Sequence, residues 1–186
     1  MNISYTQCCP EGIITKQRVI TINEIDELYN FLQIIKYKKT ENINININIK
    51  QYGYCYNNKT DSIYLIKKIP KIFDKLGKCL IHRLGLHNMQ FNHVDIRMSN
   101  IENMGNVFTP RVDDFKLGDK TLFCIIGDLI EFNLINLKNA KKTYQLKLYN
   151  GGCLLLEGES RYLWVYSTIP TNIKAKLWVI TFRNII

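Results

Sequence analysis

The chain has 186 residues, 46% of them hydrophobic, which suits one domain with a real core and argues against disorder. No run is apolar for long enough to span a bilayer, so no membrane partner is expected. The net charge of +9 favours phosphate-bearing partners, but a chain crowded with Lys, Asn, Ile and Tyr is also what an AT-rich genome encodes by default.

The first stretch, MNISYTQCCPEG, lacks the basic-then-apolar pattern of a secretory leader. The expectation is an intracellular protein, in the cytoplasm first and with the nucleus left open. Residues 1–16 read as a mobile N-terminus and 17–186 as a single domain. The cysteines are Cys8, Cys9, Cys55, Cys79, Cys124 and Cys153. No C-x-x-C pair occurs, so they fit neither a zinc site nor a disulfide framework and read as free thiols, several of them buried.

Residues 17–35 pass from a short apolar strand to an amphipathic helix. Asn23 is the expected N-cap, and Ile25, Leu28, Phe31, Leu32 and Ile35 fall at helical spacing. From Asn42 to Ile49 isoleucines alternate with polar residues, which reads as a strand or, given the low complexity, a flexible loop. QYGYCY continues it as an aromatic, partly exposed strand. A second helix is predicted over 69–84, with Pro70 near its start and Ile72, Phe73, Leu76, Leu80 and Ile81 on one face. Gly77 should weaken it.

From Met89 onward short strands dominate: 89–101, 121–135, 144–149, 153–166 and 176–185. Turn signals separate them at Met104-Gly105-Asn106, around Asn139, and at Asn150-Gly151-Gly152. Two helices followed by many strands predict an α+β fold, with N-terminal helices packed on a β-sandwich or jelly roll.

Four stretches, in order, are QYGYCY, FNHVDIRMSNIENMGNVFTPRVDDFKLGD, GESRYLWVYSTIP and ITFRN. Together they resemble the AlkB-like 2-oxoglutarate, Fe(II)-dependent dioxygenases. The nearest look is to the tRNA wobble-uridine hydroxylase branch, mainly through GESRYLW. The resemblance covers residues 17–186. It implies a double-stranded β-helix, or jelly roll, with helices and an N-terminal substrate lid.

It also implies a facial triad of two histidines and a carboxylate around iron, leaving positions for 2-oxoglutarate and dioxygen. The His-x-Asp position reads Arg111-Val112-Asp113, and the later histidine position is Tyr166, so only Asp113 keeps the family's residue. The Asn-x-Tyr of the cosubstrate site reads Asn100-Ile101-Glu102. The closing Arg-x5-Arg reads Leu177 through Arg183, with the first arginine gone; Lys176 is next to Leu177 but faces the other way on a strand.

Arginine carries only donors and stays protonated, so Arg111 cannot ligate iron. We expect it to pair with Asp113 in place of the metal, because an unpaired buried carboxylate is very costly. By the same logic Glu102 is expected to pair with Arg183. No cofactor is then expected.

The histidines are His82, His87 and His93, all upstream of Asp113. His93-Val94-Asp95 is a literal His-x-Asp, but it precedes the aligned position and reads as a solvent-facing strand face. Tyr52, Tyr54 and Tyr56 could stack on bases or simply pack a strand. Lys67 and Lys68, with Lys36, Lys38, Lys39 and Lys71, could meet phosphates or form a solvated face. Ser160 and Arg161 keep the family's Gly-x-Ser-Arg. Their retention serves the fold, although Arg161 is also counted with Tyr52, Tyr54, Tyr56, Lys67 and Lys68 as a nucleic-acid surface. Trp164 and Trp178 read as core.

The leading expectation is a catalytically inactive AlkB-like scaffold that binds RNA or DNA, or else a protein. The competing one is an active dioxygenase that uses Fe(II) and 2-oxoglutarate on a nucleic-acid base.

Overall fold

The structure is a computed structural model that describes residues 6–39, 48–99, 107–169 and 176–186. The elements in chain order are β1 (Thr6–Gln7), β2 (Ile13–Lys16), α1 (Ile22–Ile34), β3 (Lys38–Lys39), β4 (Asn48–Asn57), β5 (Ser62–Lys67), α2 (Lys71–Arg83) and β6 (His93–Ser99). They continue with β7 (Lys120–Gly127), β8 (Ile130–Asn136), β9 (Lys142–Leu148), β10 (Cys153–Glu157), α3 (Gly158–Tyr162), β11 (Trp164–Ile169) and β12 (Leu177–Arg183). The large sheet runs β2-β10-β7-β12-β6-β4-β3, with β5 also on β4; the small sheet runs β1-β9-β8-β11. Every pairing is antiparallel except β1 with β9.

The sheets begin before residue 17, the boundary expected from the sequence. Ile13–Lys16 pairs along β10, and Thr6–Gln7 pairs with β9. The alternation over Asn42–Ile49 and the turn at Met104–Asn106 fall mostly or wholly outside the described residues; Asn48 and Ile49 open β4.

Strand alternation sorts the large sheet into two apolar faces. Trp178, Ile180 and Phe182 of β12 join Val94 and Ile96 of β6 and Leu122 of β7 in one core, under α1 and α2. Leu177 and Val179 of β12 face the other way and join Phe123, Leu154, Phe132 and Trp164 in a second core between the sheets. The central strand β12 is therefore buried along its whole length, and a near-continuous apolar run is what such a strand needs.

The helices bind the outer face by aromatic contacts. Tyr29 of α1 meets Trp178 edge-on at 5.1 Å, and Phe73 of α2 lies 5.8 Å from Tyr52 of β4 while Phe31 of α1 packs on Phe73. The N-cap of α1 is Thr21, not Asn23. Its hydroxyl accepts from the Glu24 amide, and the Glu24 carboxylate accepts from the Thr21 amide. This reciprocal pair satisfies two of the orphan donors, which Asn23, already inside the helix, cannot do. Glu24 also takes two hydrogen bonds from Arg83, at 2.7 and 3.0 Å, tying the start of α1 to the end of α2. Gly77 sits mid-helix for a packing reason: a Cβ there would lie 2.5 Å from the Phe91 ring and 2.9 Å from Phe182.

Candidate functional site

At one end of the inter-sheet layer the apolar filling gives way to charge. On the inner face of the large sheet, β6 carries His93, Asp95 and Arg97 at alternate positions. Across from them on β12 stand Arg183 opposite His93, Thr181 opposite Asp95 and Val179 opposite Arg97. The loop after residue 107 crosses this end and is pinned to β11 by an isolated bridge. The Arg111 and Tyr166 amides each donate to the other's carbonyl, at 3.0 and 2.9 Å.

The centre of the cluster is Asp113, which is buried. Its Oδ1 accepts from the Tyr166 hydroxyl at 2.7 Å. Its Oδ2 accepts from Arg183 Nε at 3.0 Å and Nη2 at 2.7 Å. Burial opposes ionisation, but the Arg183 charge, the Tyr166 hydrogen bond and the charges of Arg161 and Arg111 outweigh it, and the carboxyl is held down to about 2. Burial, and then the charge of Asp113, push the Tyr166 phenol up out of its ordinary range, so it stays a donor. The Arg183 guanidinium loses hydration but is held charged by Asp113, Tyr166 and Asp95.

A second carboxylate extends the network. Asp95 is 1% exposed, and its Oδ2 accepts from Arg97 Nε at 2.9 Å and lies 3.9 Å from Arg183 Nη1. Arg97 donates onward to the Val107 carbonyl and lies 4.6 Å from the centre of the Phe108 ring. His93 is 2% exposed, with Nδ1 2.5 Å from the Tyr54 carbonyl oxygen. That contact fixes the proton on Nδ1. Burial pushes the imidazole pKa down, with Asp95 opposing.

These positions correct several expectations. Arg111 does not plug the site through Asp113: among the described residues no salt bridge joins them, and Arg183 holds that carboxylate instead. The bridge to Tyr166 fixes the Arg111 backbone, whereas Arg183 stands at the buried end of a central strand and reaches Asp113 with two nitrogens. Arg183 therefore has a carboxylate partner other than the expected Glu102; Asn100 and Glu102 lie outside the described residues. His93 and Asp95 are not solvent-facing, because β6 is covered on both sides. Leu177 is apolar filling of the inner core.

Two members of the expected nucleic-acid surface are also buried. Tyr52 packs against Phe73 beneath the helices. Arg161 is 1% exposed and donates to the carbonyls of Asp113, Asp114 and Gly118, at 2.8, 2.8 and 3.2 Å. It stitches down the loop that carries Asp113, which agrees with its retention for the fold. Ser160 does comparable work, donating to the Gly12 and Glu157 carbonyls. Tyr54, Lys67 and Lys68 remain exposed, and Tyr56 is partly so.

The fold is the AlkB-like jelly roll: two sheets, antiparallel but for the short β1–β9 pairing, face each other, with a charged cluster at one end and helices behind the larger sheet. The chain is similar in fold to the solved structure of OsALKBH1, with a TM-score of 0.69 over 97% of this chain and 99% of that chain, at 15% sequence identity. No protein-family model matches the sequence, and no curated protein does.

Such a fold raises the question of iron, and the donor set among the described residues does not fit it. Among the described residues no three His, Cys, Asp or Glu side chains converge. Both oxygens of Asp113 are engaged by donors, and Arg111 offers only donors. Asp95 Oδ1 is a buried acceptor without a partner among the described residues. Arg97 and Arg183 flank the same carboxylate, so a cation there would meet two guanidinium groups.

Proposed function

We propose that the chain is a catalytically inactive AlkB-like protein, kept as a scaffold that binds nucleic acid. The observation that supports this most is the engagement of Asp113 by Arg183 and Tyr166. The carboxylate that would hold a metal is neutralised from within the protein, by the arginine that would otherwise hold a dicarboxylate cosubstrate. Loading iron would require breaking a buried ion pair and leaving Arg183 without that partner, an arrangement that costs several kcal/mol, about 3–5.

Binding, on this reading, falls to the β4–β5 hairpin. Tyr54, Lys67 and Lys68 are exposed on it, Lys59 lies in its turn, and the whole chain carries +9. Exposed aromatic rings among lysines suit single-stranded nucleic acid, which offers both phosphates and stacking faces.

The test is calorimetric. Metal-free protein is titrated anaerobically with Mn(II), a redox-silent substitute for iron, and then with 2-oxoglutarate. Neither is expected to bind; micromolar binding of both overturns the inactive reading. Single-stranded RNA and DNA oligonucleotides are then titrated at several salt concentrations. Binding that weakens steeply with salt is expected, and absent or salt-insensitive binding removes the nucleic-acid part.

A further inference from the structure

β5 is an edge strand with an unusual surface. Among the described residues it pairs only with β4. Every residue of it is exposed, including Ile63 (43%), Tyr64 (48%), Leu65 (59%) and Ile66 (41%). Four consecutive large apolar side chains on an open edge are what soluble proteins ordinarily avoid, by shortening the edge or placing charge within it. Here the charges stand only at the ends, and they have opposite signs. Asp61 precedes the apolar run, and Lys67 and Lys68 follow it.

We propose that β5 pairs antiparallel with β5 of a second copy of this chain, joining the two large sheets across a two-fold axis. Antiparallel pairing of a strand with its own copy requires partner positions whose numbers sum to an even value, because alternate residues turn their backbone groups to the same edge. Centring the axis on Tyr64 meets that condition. It sets Tyr64 against its symmetry mate, Ile63 against Leu65 and Ser62 against Ile66, and brings Asp61, the turn residue just before β5 (φ +45) that also accepts from the Tyr56 hydroxyl, to the end of the ladder beside Lys67. The opposite end charges then meet twice, once on each side of the axis. A parallel pairing would set lysines against lysines. Moving the axis one residue either way removes the Asp61–Lys67 opposition, so charge selects both the orientation and the register. The main-chain edge supplies generic affinity and the apolar run contributes buried area. This inference does not depend on whether the interior site is active, and it assigns Lys67 to the dimer seam rather than to nucleic acid.

The association is read by sedimentation equilibrium on nuclease-treated full-length protein. Moderate salt screens the +9 carried by each copy. A reversible dimer in the micromolar range is expected. Lys67→Asp places like charges opposite each other twice and should weaken the dimer on the order of tenfold. Asp61→Lys should do the same, and the double swap D61K/K67D should restore it. Both sites are exposed, and circular dichroism confirms the fold of each variant.

Restoration by the double swap supports the pairing and its register. A protein that stays monomeric at high micromolar concentration overturns the proposal. So does a dimer indifferent to all three variants, which must use another face. A monomer whose β5 residues instead become protected when single-stranded RNA is added overturns it in favour of a nucleic-acid occupant.

Discussion

Replacing Asp113 by asparagine removes the negative charge at the centre of the buried cluster while keeping its shape. An amide oxygen can still accept from Arg183, and the amide nitrogen can donate to the Tyr166 hydroxyl, but the Tyr166 proton then loses its acceptor and the buried guanidinium loses its counter-charge. Holding the Asp113 carboxyl down to about 2 corresponds to about 2 kcal/mol of preference for the ionised form in the folded state. Removing one member of a buried pair costs about 3–5 kcal/mol because the other charge stays buried. Asp95, 3.9 Å from Arg183, offsets part of that. The expected loss is therefore about 3 kcal/mol, or a Tm lower by roughly 6–12 °C for a chain of this size.

Urea unfolding followed by the fluorescence of the buried Trp164 and Trp178 measures this change. The acid limb gives a second reading. A depressed carboxyl pKa contributes stability above the unfolded value near 4, and that stability is lost as pH falls through the folded value of about 2. The Asn variant should lose less stability over that window than the wild type. The control is Arg111→Ala, which breaks no bond to Asp113 and should cost less than about 1 kcal/mol. A loss below about 0.5 kcal/mol for the Asp113 variant, or a larger loss for Arg111→Ala, would refute the assignment of Arg183 as the partner.

Other parts of the structure give shorter tests. Arg161→Ala leaves the carbonyls of Asp113, Asp114 and Gly118 without their donor, and should destabilise by about 2–4 kcal/mol and raise hydrogen exchange across residues 113–118. Stability unchanged within error would deny it the stitching role. His93 should titrate with a midpoint below 6.5 by NMR, because burial disfavours its charged form. Its contribution to stability is present above its unfolded pKa and is lost as pH falls through the lower folded value; a midpoint at or above 6.5 would contradict its buried setting. Gly53→Ala should disturb the β4–β6 register. At φ +82 an added Cβ would lie 1.9 Å from the Asn92 carbonyl oxygen, so a cost above about 2 kcal/mol is expected, and a neutral result would mean the backbone does not take this path.

Much of the architecture was legible in the sequence because it follows from local rules. Helical spacing placed α1 and α2, and turn signals separated some of the strands from β6 onward, although the run 121–135 holds both β7 and β8, and the run 153–166 holds β10, the helix α3 and the start of β11. Asn23 was misjudged because Thr21, two residues earlier, could form the reciprocal pair with Glu24. Period-2 spacing puts His93, Asp95 and Arg97 on one face of β6; Tyr52, on the neighbouring β4, is paired with Val94 between them. Spacing carries no information about which face is covered, so it leaves His93 and Asp95 readable as solvent-facing and Tyr52 as either a stacking platform or strand packing, and only burial decides. The opposite charges of Asp95 and Arg97 at alternate positions were the signal that could have pointed inward.

The residues that stand at the expected metal and cosubstrate positions could be read off the chain. The partner of Asp113 could not. Arg111 is two residues away in sequence, and Arg183 is seventy away. A salt bridge depends on where side chains converge in space, and that is set by the antiparallel pairing of β12 with β6 and by the bridge that fixes Arg111 to Tyr166. Sequence by itself determined the elements and the chemistry available to this protein; only the tertiary structure decided which charges are buried together, because burial makes a pairing obligatory and burial is a property of the whole fold.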